Sequence, residues 1–258
     1  LFLVREKPSI SLGELKEKLH QNCNIRVTKQ TISYFLKKTH TRKVLVRPAA
    51  ERFTDRNLIY TQVFIDVLHR ADANRIKFFD ESGFKLPGIC NPKYGHSLKG
   101  ERAIEVHRYA QTPNVTLNLL ISSQGVSYAN VVQGPSNTDT YTQFFFDALN
   151  STTNQGDLSL KPGDLVIIDN CPIHRHRAQN ILGPYLDRFG IEYIFTPTYS
   201  PNLNAAELCF QHIKTLFKRQ DIRDMALDNL EYAVMFCVNS ISSQDCKGYY
   251  QHIGYLRA

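Results

Sequence analysis

Apolar and polar positions alternate along this chain in three successive textures. In "SLGELKEKLHQNC", Leu12, Leu15 and Leu19 recur at helical spacing, and Ser11 stands three residues before Glu14, the spacing of a capping box. In "VTKQTISYFLKKTH", Thr28 is placed to cap a second helix whose Ile32, Phe35 and Leu36 make a buried stripe. "NCNI" between them reads as a turn. Lys29, Gln30, Ser33, Lys37 and Lys38 are left on the outer face of the second helix. This is the pattern of a helix-turn-helix with a basic second helix suited to the major groove, and equally of a helical hairpin with a solvated basic face.

The second texture is a connector. "TRKVLVRPAAERFT" reads as a linker or wing, with Pro48 ending any regular element, and it adds Arg42 and Lys43 to the basic set. "DRNLIYTQVFIDVLHRA" follows as a helix with Leu58, Val63, Phe64, Val67 and Leu68 on its apolar side. From residue 75 strands and helices alternate. "RIKFFDES" is a short apolar strand that ends in acids, and "NVTLNLLISSQGVSYANVVQG" is two strands around a turn at Gln124 and Gly125. "TDTYTQFFFDALNSTT" is a helix, "DLVIIDNCPIH" a buried strand that again ends in an acid, and "RAQNILGPYLDRFG" a helix closed by Gly190. "IEYIFTP" is a strand, Glu207 opens another helix, and a last helix is expected near residues 226–240. The alternation predicts an α/β fold, a mixed sheet flanked by helices, preceded by a small all-α module. The boundaries predicted are 1–48 for that module, 49–74 for a linker and connecting helix, and 75–258 for the α/β domain.

Charge sharpens this division. The 258 residues carry a formal net charge of +7. Residues 1–56 hold thirteen Lys and Arg against five Asp and Glu, a net of +8, so the remainder carries 7 − 8 = −1. A positive segment on an otherwise neutral chain favours a polyanionic partner and tips the helix pair toward DNA. No apolar run reaches the ~18 residues of a membrane span, so no membrane partner is expected. Neither a Walker loop nor G-x-G-x-x-G is present, so no nucleotide cofactor is expected. The six Cys are scattered without a C-x-x-C pair and read as reduced intracellular thiols. The chain opens at "LFLVREKPS" without Met, and we expect it to begin within a longer protein.

The candidate chemistry lies in three acids. Asp80 and Asp169 each follow an apolar strand, and chemistry in open α/β sheets gathers at the carboxyl ends of strands. A buried strand has little reason to finish in a carboxylate unless a cation offsets its desolvation. With Glu207 at a helix start, the set offers three hard oxygen ligands of the kind that select Mg²⁺ or Mn²⁺. Three carboxylates around two such ions, ~4 Å apart, form the apparatus of in-line displacement at phosphorus. An Asp at a strand end is also a common turn former or helix cap, and spacing alone leaves both readings open. Glu81 should face away from Asp80 across the strand. Asn170 could hydrogen-bond a metal-bound water, and His174 could orient a phosphate or cap the next helix. Lys214, Lys218 and Arg219 could reach DNA phosphates or form a solvated basic face.

The words around the acids carry more. "FFDESGF", "VIIDNCPIH" and "TPTYSPNLNAAE", in that order, resemble the catalytic domain of the Tc1/mariner and IS630 superfamily of transposases. "YGHSLKGERA" resembles the family's segment after the first strand, and residues 1–48 resemble the second helix-turn-helix of its paired DNA-binding region. The resemblance implies an RNase H-like fold and a DDE triad falling on Asp80, Asp169 and Glu207, with Asn170 and His174 in the D-N-x-x-x-H segment. The 37 residues between Asp169 and Glu207 lie within the family's variation. It further implies two Mg²⁺ or Mn²⁺ ions, double-stranded DNA as substrate, a homodimer pairing two transposon ends, and work in the nucleus of a eukaryotic host or beside a bacterial nucleoid. Two departures stand out. Ala205 and Ala206 fill "NAAE" where the family usually has Pro, and the resemblance begins only at the second helix-turn-helix, so the first is expected to be missing from these residues. A domesticated DNA-binding protein and an RNase H-like nuclease without strand transfer remain as alternatives.

Overall fold

The structure is a computed structural model that describes residues 1–41, 48–85, 96–102, 104, 114–153, 155–171, 174, 175 and 177–256. It forms two compact units, Leu1–Ala49 and Ala50–Ala258.

The first unit holds α1 (Phe2–Glu6), α2 (Leu12–Cys23) and α3 (Lys29–Thr39). The capping box forms: Ser11 Oγ accepts from the Glu14 amide at 3.1 Å, and the Glu14 carboxylate accepts from the Ser11 amide at 2.8 Å. Asn24 ends α2 in the left-handed region at φ 52°, and Thr28 Oγ1 accepts from the Thr31 amide to cap α3. Leu15 and Ile32 are buried between the helices, but Phe35, expected in the buried stripe, is 51% exposed. The reason is size. With little but α2 to pack on, α3 buries a stripe one residue wide. Lys29, Gln30, Lys37 and Lys38 are exposed, while Ser33 is half-buried. Arg42 and Lys43 lie outside the described residues.

The second unit is built on a five-stranded sheet: β1 (Ile76–Phe84), β2 (Val115–Ser122), β3 (Gly125–Gln133), β4 (Leu165–Ile168) and β5 (Glu192–Phe195), in the order β3-β2-β1-β4-β5. β1 pairs antiparallel with β2 and parallel with β4, and β4 pairs parallel with β5. Helices α4 (Asp55–Arg70), α5 (Thr138–Leu149), α6 (Arg177–Arg188), α7 (Ala205–Leu216), α8 (Gln220–Asp228), α9 (Leu230–Asn239) and α10 (Ser243–His252) cover it. Two cores result. Ile76, Phe78, Leu165 and Ile167 pack with α4, α7, α9 and α10, and Phe79, Val166 and Ile168 pack with α5 and α6. Odd and even strand positions thus face different helix layers, as the two-residue period of a strand requires.

Three expectations need correction. β1 does not end at its acids; it runs on to Phe84, because Glu81 to Phe84 pair with Asn118 to Val115 of β2. Leu58, Val63 and Val67 of α4 are 49%, 49% and 37% exposed, since the helix packs inward chiefly through Phe64 and Leu68. The last helix expected near 226–240 is α9, Leu230–Asn239, but α8 and α10, which were not expected, stand on either side of it. Asn229 caps α9 through the Tyr232 amide, and Ser242 with Asp245 builds a capping box for α10.

Candidate active site

Strand register brings the first two acids together. Phe79 pairs with Ile168 on the adjacent parallel strand, so the residues that follow, Asp80 and Asp169, sit side by side. Asp80 shares its parity with Ile76 and Phe78, and Asp169 with Leu165 and Ile167, all of which face the α7 layer. Glu207 lies in the first turn of α7. The three carboxylates therefore line one cleft of about 420 Å³, together with Asn170, Thr196, Thr198, Tyr199, Ser200, Pro201 and Asn204. Among the described residues no three acids, His or Cys stand close enough to hold one common metal ion.

Each acid is held. Asp80 accepts from the Glu81 amide at 2.7 Å and from Asn204 Nδ2 at 2.9 Å. Asp169 accepts from Thr196 Oγ1 at 3.2 Å. Burial pushes the Asp80 carboxyl up to about 8; Glu207 and Asp169 push the same way, against the pull of the Glu81 amide and His174. A buried carboxyl with two other carboxylates near it favours its proton until a cation replaces it.

Glu81 does face the opposite layer. Its Oε1 accepts from Ser136 Oγ at 2.8 Å and lies 3.6 Å from His174 Nε2, an ion-pair distance that leaves that nitrogen without a hydrogen bond. His174 is 3% exposed, stacks on Tyr141 with centroids 4.4 Å apart, and bonds through Nδ1 with the carbonyl of Asp169 at 3.0 Å. Burial works against its charge, but Glu81 and the Asp169 carbonyl win, so its pKa is raised. Asn170 Nδ2 donates to Thr198 Oγ1 at 3.4 Å rather than toward the acids.

Sequence reasoning missed three participants. Asn204 caps α7 with Oδ1, which accepts from the Ala206 amide at 3.0 Å, and serves Asp80 with Nδ2. An Asn directly before a helix was the available signal. Ala205 and Ala206 are fully buried, so the helix start is fixed by packing and this cap without the family's Pro. Tyr199 lines the cleft at φ 53°, a left-handed conformation uncommon for a bulky residue, and is 59% exposed. Asn57 of α4 pins the same loop: its Oδ1 accepts from the Thr198 amide at 3.0 Å and its Nδ2 donates to the Thr198 carbonyl at 3.3 Å. Asn204→Ala should cost about 1 kcal/mol through the lost cap, lowering Tm by roughly 2–4 °C. Calorimetry checks this, and an unchanged Tm rejects the dual role.

Comparison with known proteins follows the same lines. The DDE superfamily endonuclease family matches residues 75–227. The Mos1 strand transfer complex superposes with a TM-score of 0.68 over 98% of this chain and 73% of that one, at 19% identity. The mariner Mos1 paired-end complex with Mg gives a TM-score of 0.67 over 98% and 72%, at 19% identity. The corresponding complex with Mn gives 0.64 over 98% and 72%, at 18% identity. These likenesses show the fold, an RNase H-like α/β domain. No curated protein matches the chain by sequence.

Proposed function

Because the chain belongs to the DDE superfamily endonuclease family, we propose that it is a transposase of the Tc1/mariner type. It cleaves DNA at transposon ends and joins the freed 3′-hydroxyl to target DNA. The observation that carries this reading is the convergence of Asp80, Asp169 and Glu207 on one cleft, from β1, the end of β4 and the start of α7.

The donor set fits divalent metal. All three groups are hard oxygen donors, and the raised Asp80 carboxyl is an acid whose proton a cation displaces. Asp80, Asp169 and Glu207, which line one cleft, would hold the ions. When bound, such ions activate the attacking oxygen and stabilise the leaving oxygen. The Mos1 structures solved with Mg and with Mn support the same choice. The chain's own residues supply position. Asn204 and the Glu81 amide orient Asp80, Thr196 orients Asp169, and the cap of Asn204 sets the helix that carries Glu207.

The basic face of α3, with Lys29, Gln30, Lys37 and Lys38 exposed, is the proposed duplex-binding surface. Replacing Lys37 and Lys38 by Ala should weaken duplex binding and lower the salt slope by about 2. Titrations at several salt concentrations check this, and an unchanged slope places the contact elsewhere.

Incubating the chain with supercoiled plasmid in Mn²⁺ tests the enzymatic reading. Open circles that appear with metal and vanish with a chelator support it. Binding without nicking overturns it in favour of a DNA-binding protein. Linear and joined products on a substrate with family-type ends separate a transposase from a hydrolytic nuclease.

A further inference from the structure

A second polar site lies beside the cleft, on the other side of the sheet edge. Arg175 follows β4 by seven residues and lies just before α6. Its guanidinium carbon stands 5.0 Å from the centre of the Phe195 ring. Its Nε is buried and has no hydrogen-bond partner. Among the described residues the guanidinium makes no hydrogen bond and no ion pair. With Arg177, Gln179, Asn180 and Ile181 it lines an open concavity of about 730 Å³. Arg177 is exposed, and its nearest acid, Asp139, lies 3.7 Å away in an equally exposed pair worth little in water.

The connection to the acids is short. Phe195 is the last residue of β5, and the next residue, Thr196, donates to Asp169. Phe195 faces the α5 and α6 layer, whereas the acids face α7. The arginine platform and the acid cleft thus occupy two faces of one strand end. A strand of nucleic acid crossing the carboxyl edge of the sheet meets both.

A guanidinium held against an aromatic ring is partly fixed before it binds and loses less freedom on binding. Its unpaired donors match a planar or tetrahedral oxyanion, and the amide groups of Gln179 and Asn180 add neutral donors at the rim. We infer that Arg175, with Arg177, holds a phosphodiester of the DNA substrate near the one that is cut. Arg175 here is a positioning residue. The inference rests on the reading of the protein as a DNA-cleaving enzyme, but its binding arm can be measured without cleavage.

The test uses the full chain, a plain DNA duplex and Arg175→Ala, Arg175→Lys and Arg177→Ala. Duplex affinity is measured without metal over a range of salt, and plasmid nicking in Mn²⁺ is measured at low and at saturating DNA. Arg175→Ala should weaken binding about tenfold and lower the salt slope by about 1, with KM rising more than kcat falls. Arg175→Lys should restore the slope but only part of the affinity, since it keeps the charge and loses the fork. Arg177→Ala should show a smaller loss of the same kind. A fall in melting temperature with the slope unchanged makes Arg175 a structural partner of Phe195 and overturns the proposal. So does wild-type affinity in both Ala variants. A chain that loses affinity in Arg175→Ala, yet does not nick in any form, keeps this site and loses the cleavage reading.

Discussion

Asp169→Asn should nick supercoiled plasmid about 10³-fold more slowly than the wild-type chain at saturating DNA in Mn²⁺. The substitution is a clean one for this position. Thr196 Oγ1 donates to Asp169 Oδ1, and the amide oxygen of Asn accepts the same bond. The bond between His174 and this residue uses the backbone carbonyl and is untouched. What disappears is one negative charge and one hard oxygen donor in the cleft. Duplex affinity, which we assign to the basic face of α3 and to Arg175, should stay within about twofold, because Asp169 holds no DNA phosphate in this reading. Glu207→Gln should behave alike. Nicking within about tenfold of wild type in either variant removes the acid from the reaction.

Asp80→Asn gives the second large effect, in the opposite direction for stability. In chelator at pH 8 the variant should melt above the wild-type chain by roughly 4–8 °C, or about 2 kcal/mol. Burial raises the Asp80 carboxyl from 3.8 to about 8, with the other two carboxylates adding to it. Below pH 4 both folded and unfolded chains keep the proton, and the group favours neither. As pH climbs toward 8 the unfolded chain gives up its proton and the folded chain does not, so stability falls throughout that window. At about 1.4 kcal/mol per pH unit the loss has a ceiling of roughly 6 kcal/mol, and relaxation of the site takes it lower. Asn removes the ionisation. It offers one acceptor where Asp80 offers two, to the Glu81 amide and to Asn204, and that lost bond of about 1 kcal/mol is already counted. Mn²⁺ should reverse the order by stabilising the wild type alone. A variant that melts no higher in chelator at pH 8 shows that the carboxyl is not strained by burial.

The two effects together mark the cleft as a place where local rules give way. Much of the architecture could be read beforehand, because period and capping are local signals. Ser11 with Glu14 and Thr28 form the caps their spacing announced. The β2–β3 hairpin turns where Gly125, at φ 139°, allows it. The opposite faces of Asp80 and Glu81 follow from the pleat alone. What stayed hidden depends on partners far away in sequence. The extension of β1 past its acids needs β2 beside it, more than thirty residues on. Exposure of Leu58 and Val63 on an apolar-looking helix depends on how narrow a strip the sheet offers. Asn204, Asn57 and Arg175 act through contacts 124 residues, 141 residues and 20 residues away, at Asp80, Thr198 and Phe195. No window along the chain contains those pairs.

The two hydrogen bonds between Asn57 and Thr198 also fix where the loop after β5 can go. Asn57 sits in the first turn of α4, which Thr54 caps. Tyr60, three residues and nearly one turn further on, donates to the Phe195 carbonyl at 2.7 Å. Two side chains of one helix thus hold the backbone between β5 and Glu207 at Phe195 and Thr198. The Thr198 amide, tied to Asn57 Oδ1, is a local clasp on that loop: Asn57→Ala should speed its hydrogen exchange while amides of the central strands keep theirs.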